Sequence, residues 1–277
     1  MKKTVNEIAK DAGFNEGSFN EIFKLRKSEA DIVDLLKARG LCCDAKELRE
    51  KLEYAGKRCA LYVGLIDLLE GSVDKAKSDI EQRVGDVTIT EKWLAVIQTH
   101  RDVYEMMGFL TLLQMDAMTT TISLLQAQND TERIVLSKHA YAIMYEARTH
   151  DLFDKVSAGM HNYPEEIVDK DELNEFWKEI KSVLKEMISQ KESEDIRHKL
   201  DAHKDKSFIN QISLYKRCDW SVSVANLLVF IKIIDSIGLY MYNIHKKLNV
   251  LYDNYRVFAE TRMKQYENIL NQLKELP

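Results

Sequence analysis

The sequence predicts an all-α protein built as an antiparallel helical bundle with an N-terminal helical extension. Three observations carry that expectation. The chain has only two prolines, Pro164 and Pro277, and ten glycines in 277 residues. An all-β chain needs many more turn-forming residues than that. Apolar residues recur at steps of three and four through most of the chain, which is the spacing of one helix face. Nothing reads as a strand, and no solenoid-period repeat or low-complexity segment stands out.

Composition bounds the rest. Hydrophobic residues make up 45% and charged residues 31%, which suits a soluble chain with a substantial core. The net charge of −5 disfavours a broad nucleic-acid surface and makes DNA an unexpected partner, but it leaves room for a local basic patch. The cysteines, Cys42, Cys43, Cys59 and Cys218, form no C-x-x-C pair and no zinc-finger grouping with histidine. They read as reduced, partly buried thiols of a cytoplasmic protein, with no metal or other cofactor expected. Met1–Glu7 is charged without an apolar run behind it, so no signal peptide is expected. Trp220–Ile231 is the longest apolar candidate, and Lys232 and Asp235 interrupt it. It reads as a buried helix, with no membrane partner.

Taken in order, residues 4–24 read as helix, turn, helix around Gly13-Phe14-Asn15. Ile8, Phe14, Phe19 and Phe23 supply the apolar faces of two short packed helices. Over these twenty or so residues the pattern is similar to the second helix-turn-helix of AraC-type regulators. Leu41–Leu69 reads as helix, with a break expected at Gly71-Ser72 and a short polar helix over Asp74–Arg83. Gly85-Asp86 marks the expected boundary between an N-terminal region, residues 1–85, and a bundle, residues 86–277. Thr88 and Glu91 have capping-box spacing before a long helix. That helix carries Trp93, Ile97, Val103, Met107, Leu110, Leu113, Ile122 and Leu125 inward. Asn129-Asp130-Thr131 ends it and caps a helix expected to run to about Val156. Gly159–Pro164 reads as a loop and Asp169–Met187 as an amphipathic helix. A last helix from Trp220 toward Leu273, broken or bent near Gly238, carries a heptad-like seam through Ile233, Ile237, Tyr240, Ile244 and Leu248.

The stretch Ser189–Ser207, between two apolar-periodic segments, carries the candidate chemistry. It holds Arg197-His198-Lys199-Leu200-Asp201-Ala202-His203, an arginine and a histidine with five residues between them. A guanidinium binds a phosphodiester through two parallel charge-assisted hydrogen bonds. An imidazole moves a proton near neutral pH. Together they make a minimal kit for cutting RNA without a metal. On a continuous α-helix the two residues point about 120° apart and lie about 9 Å apart along the axis. One helix therefore does not converge them, and a helix end or a second subunit is needed. The plainer reading is a solvated, salt-bridged helix end in which Glu194–His198 and Asp195–Lys199 are i,i+4 neighbours. The same spacing recurs at Arg133–His139, which reads as a core-flanking helix with a surface histidine. His100, His150, His161 and His245 show no grouping of the kind a metal requires.

An Arg-polar-x4-His element before the last of four long helical segments resembles the HEPN domain family. The string Ile196–Asp205 is similar to the family's abortive-infection (AbiU-like) branch. The resemblance spans roughly residues 90–250. It implies an all-helical homodimer with two motif copies facing a cleft, and metal-independent RNA cleavage or RNA binding of the toxin or phage-defence kind. Arg197 would hold the phosphate and His203 would act as acid–base. His198, Lys199 and Lys204 would bind RNA, and an antitoxin protein is an implied partner. The alternative is a non-catalytic helical interaction or scaffold module.

Overall fold

The computed structural model describes residues 44–82, 87–149, 151–187, 190–202, 207–215 and 217–251, together with 268–269 and 271–272. The expected N-terminal helix-turn-helix and the expected boundary at 85 fall outside the described residues. Of the described residues, 90% are helical and none is in a strand, as the sparse glycine and proline predicted. The elements are α1 Ala45–Glu81, α2 Val87–Gln126, α3 Asp130–Thr149, α4 Leu152–His161, α5 Lys170–Glu186 and α6 Gln190–Ile196. A π-helical turn, Arg197–Ala202, follows, and then α7 Phe208–Tyr215 and α8 Trp220–Leu251.

Helix starts follow local capping chemistry. The Asp44 carboxylate accepts from the Lys46 and Glu47 amides, and Asp169 does the same for Asp171 and Glu172. Asp219 accepts from Ser221 and Val222 at the start of α8. At α3 the expected cap is present: Asn129 Oδ1 accepts from Glu132 N at 2.9 Å, and Glu132 accepts in return from Gln128 N. Each such contact satisfies an amide that has no partner within its helix.

Several expected boundaries are corrected. α1 runs unbroken through Gly71-Ser72, because Leu65, Leu69, Val73 and Ala76 keep one buried face in register across it. A glycine inside a helix costs only about 1 kcal/mol, less than that face contributes. Thr88 is not a cap, since α2 already includes Val87. α3 stops at Thr149 rather than near Val156. Asp151 takes a left-handed conformation, φ 49°, and starts a separate helix. Gly159 belongs to that helix and not to a loop. α8 continues unbroken through Gly238.

The chain forms two compact units. Among the described residues, the first comprises 44–49, 116–146, 187, 190–202, 207–215 and 217–230, and the second 50–82, 87–115, 147–149, 151–186, 231–251, 268–269 and 271–272. In the first, Met118, Leu124, Tyr141, Trp220, Leu227 and Phe230 are buried. In the second, Leu65, Met107, Leu110, Met160, Leu173 and Ile237 are buried. The α8 seam is inward at Ile233, Ile237, Ile244 and Leu248, while Tyr240 is only half-buried and stacks on Phe176. Over Trp220–Leu248, α8 is long and apolar enough to cross a membrane by length and composition, with mean hydropathy 1.9. Half of its apolar window is buried inside the protein.

Candidate functional site

The motif does not lie on a plain α-helix. α6 ends at Ile196, whose side chain is fully buried, and the chain widens into the π turn from Arg197. The 100° step behind the expected divergence of the motif therefore does not apply within the turn. Such single π turns are frequent at functional sites.

Arg197 and His198 both meet the end of α3. The Arg197 guanidinium lies over the Tyr145 ring, 5.3 Å from its centroid. Its Nε and Nη2 donate to Glu146 Oε1 at 3.2 and 3.1 Å. His198 stands edge-on to the same ring at 5.3 Å, with Nε2 3.2 Å from the Tyr145 hydroxyl. Arg197 and Glu146 side chains are 29% and 34% exposed, so the pair is wetted and its Coulomb attraction moderate. Tyr145 is thus a shared platform that orients two motif side chains.

One turn earlier, Asp195 accepts from Lys199 at 3.4 Å, as the i,i+4 spacing predicted, and from Arg217 at 3.5 Å. Desolvation works to raise the Asp195 pKa, but Lys199 and Arg217 together hold its carboxyl below the usual range. His203 and Lys204 lie outside the described residues. Arg197, His198 and Lys199 are therefore the motif residues the structure places, and it gathers the first two.

The second Arg-x5-His string is confirmed as core-flanking. Arg133 is buried, 4.9 Å from the Trp220 ring centroid, and Nη2 donates to Ala127 O; His139 is exposed. Among the described cysteines, Cys59 is half-buried and Cys218 is buried, with its pKa raised by burial to about 12. Both are free, in keeping with the expected reduced, partly buried thiols.

A second cluster escaped the sequence reading. In the second unit, His100 Nε2 lies 2.8 Å from the ring nitrogens of His245. The Tyr104 hydroxyl is 2.8 and 2.6 Å from those same nitrogens, and the Tyr163 hydroxyl meets His100 Nδ1. All four side chains are at most 2% exposed. Burial holds both imidazoles neutral: the His100 pKa is far below the ordinary value, His245 adding to the effect, and that of His245 falls to about 3. The available signal was that His100 and His245 occupy apolar-face positions, beside Ile97 and Val103 in α2 and Ile244 and Leu248 in α8. Also in this unit, Arg58 donates to Gln114 Oε1 at 2.9 Å and to Asp235, while Gln114 donates to Asp235 and to the Ile231 carbonyl.

Fold and site define the chain as an all-α helical protein with a polar π turn docked on a tyrosine and a glutamate. It matches no protein-family model, no curated protein and no solved structure.

Proposed function

We propose that the protein acts on RNA through Arg197–His203, as a metal-independent ribonuclease or RNA-binding protein of the HEPN toxin or phage-defence type. The observation that carries this reading is the shared platform: Tyr145 holds Arg197 over its ring and His198 beside its hydroxyl, both half-buried at the start of the π turn. Arg197 binds the phosphodiester, as a planar guanidinium does. His203 takes the proton of the 2′-hydroxyl or gives one to the leaving oxygen. His198, Lys199 and Lys204 add contacts to the RNA strand. On this reading the protein is a cytoplasmic homodimer, and an antitoxin protein is the partner it implies.

A second reading, a non-catalytic helical interaction module, is favoured by one observation. Arg197 is already paired with Glu146, and a phosphate must displace that carboxylate. The test is cleavage of single-stranded RNA by the purified protein in EDTA. The ribonuclease reading predicts cyclic-phosphate ends and a loss of about 10²–10⁴-fold in His203→Ala, with Arg197→Ala equally inactive. His139→Ala, at an exposed position, keeps full activity. Cleavage that survives both motif substitutions removes the motif from the mechanism. Absent cleavage with RNA binding lost in Arg197→Ala assigns the motif to binding alone.

A further inference from the structure

We propose that Glu146 is the general base of the Arg197–His203 site, taking the proton of the RNA 2′-hydroxyl while His203 gives one to the leaving oxygen. This rests on the ribonuclease reading and assigns, within it, the two proton transfers that cleavage needs.

Metal-independent cleavage of RNA forms the O2′–P bond and breaks the P–O5′ bond, leaving a 2′,3′-cyclic phosphate and a 5′-hydroxyl. The attacking and leaving oxygens stand roughly in line on opposite sides of the phosphorus. One proton leaves the 2′-hydroxyl on one side, and another reaches O5′ on the other. A single imidazole does not reach both oxygens at once. A second proton-transfer group therefore belongs near the guanidinium that holds the phosphate.

Among the described residues beside Arg197, Glu146 fits in both chemistry and position. Its Oε1 lies 3.2 and 3.1 Å from Arg197 Nε and Nη2. An ionised carboxylate accepts hydrogen bonds and donates none, as a base requires. Both guanidinium donors meet one carboxylate oxygen rather than two, so the pair lacks the fork-to-fork geometry of the strong arginine–carboxylate contact. The two side chains are also 29% and 34% exposed, and water weakens their attraction. A phosphate that meets the guanidinium with two oxygens competes well for it. The displaced carboxylate stays in the last turn of α3, beside the bound phosphodiester, and the Arg197 charge offsets the repulsion between them.

The neighbouring groups fit less well. Lys199 and Arg217 hold the Asp195 carboxyl below the usual range, which makes it a poorer proton acceptor. His198 Nε2 is engaged with the Tyr145 hydroxyl. The Lys199 ammonium has donors only. In the proposed step Glu146 ends as a carboxylic acid and His203 as a neutral imidazole. Return of one proton from Glu146 to His203 through water resets both.

The test compares RNA with uridine 3′-(p-nitrophenyl phosphate), whose leaving group departs without a proton. On RNA, Glu146→Gln and His203→Ala should each lose about 10²–10⁴-fold in kcat. On the activated ester, His203→Ala should recover most of the wild-type rate, while Glu146→Gln stays slow. RNA affinity should hold or rise in Glu146→Gln, because a competitor for Arg197 is gone. A carboxylate that only braces Arg197 predicts the opposite, weaker binding with kcat unchanged. Glu146→Asp keeps the charge but withdraws it by one methylene, and it decides if the glutamine variant fails to fold. It should lose about 10²-fold on both substrates. Glu146 variants that cut RNA at the wild-type rate overturn the assignment and leave the ribonuclease reading standing. So does an activated ester that rescues Glu146→Gln instead of His203→Ala. A wild type that cuts neither substrate overturns the ribonuclease reading and the base with it.

Discussion

Single side chains in this protein are set by what their neighbours leave room for. Gly159 shows the effect at its sharpest. A Cβ there would lie 2.6 Å from Val103 Cγ2, and a valine in a helix has little rotamer freedom to yield. Gly159→Ala is expected to destabilise the protein by about 1–3 kcal/mol, as overpacking does, and urea unfolding at pH 7.5 measures it. Gln114 illustrates the opposite case, a polar residue that cannot be removed. It is fully buried, it accepts from Arg58, and its amide serves both Asp235 and the Ile231 carbonyl. Gln114→Leu preserves approximate size but strips those partners. The expected loss is about 1–3 kcal/mol, read from the same unfolding curves. A loss near zero would mean that water replaces the amide.

At the scale of elements, continuity is decided by buried faces more than by helix breakers. α8 passes through Gly238 because Ile234, Ile237 and Met241 stay buried around it. The nearest atoms to a Cβ at Gly238 are 3.9 Å away in Arg58 and 4.0 Å away in Met107, ordinary contact distances. Gly238→Ala should therefore stabilise by about 0.5–1 kcal/mol through lower backbone entropy in the unfolded chain. A thermal melt that shifts downward instead would show that the glycine is needed for a bend. The motif obeys the same logic. α6 gives way to a π turn where Ile196 is anchored in the core, and Arg197 and His198 then reach Tyr145.

For the whole molecule, the proposed homodimer has a direct test. If each site takes Arg197 from one chain and His203 from the other, Arg197→Ala and His203→Ala chains complement each other. Co-refolding the two inactive variants then restores up to about one quarter of wild-type cleavage with random pairing. A mixture that stays inactive places both residues of a site on one chain. Sedimentation of the wild type checks the dimer itself.

The helical class, most helix faces and the Asn129 cap were legible in the chain, because each depends on residues three or four positions apart. The Asp195–Lys199 pair was legible for the same reason. Gly71, Gly159 and Gly238 misled as apparent breaks or loops, since a glycine's local cost says nothing of the burial that outweighs it. Only the tertiary structure decided which distant residues meet: Arg197 with Glu146 across 51 positions, His100 with His245 across 145, and Arg58 with Asp235 across 177. Helical periodicity specifies which face of a helix turns inward. The neighbour that face meets is chosen by the packing of the whole set of helices, and the polar side chains carried inward take their partners from that choice.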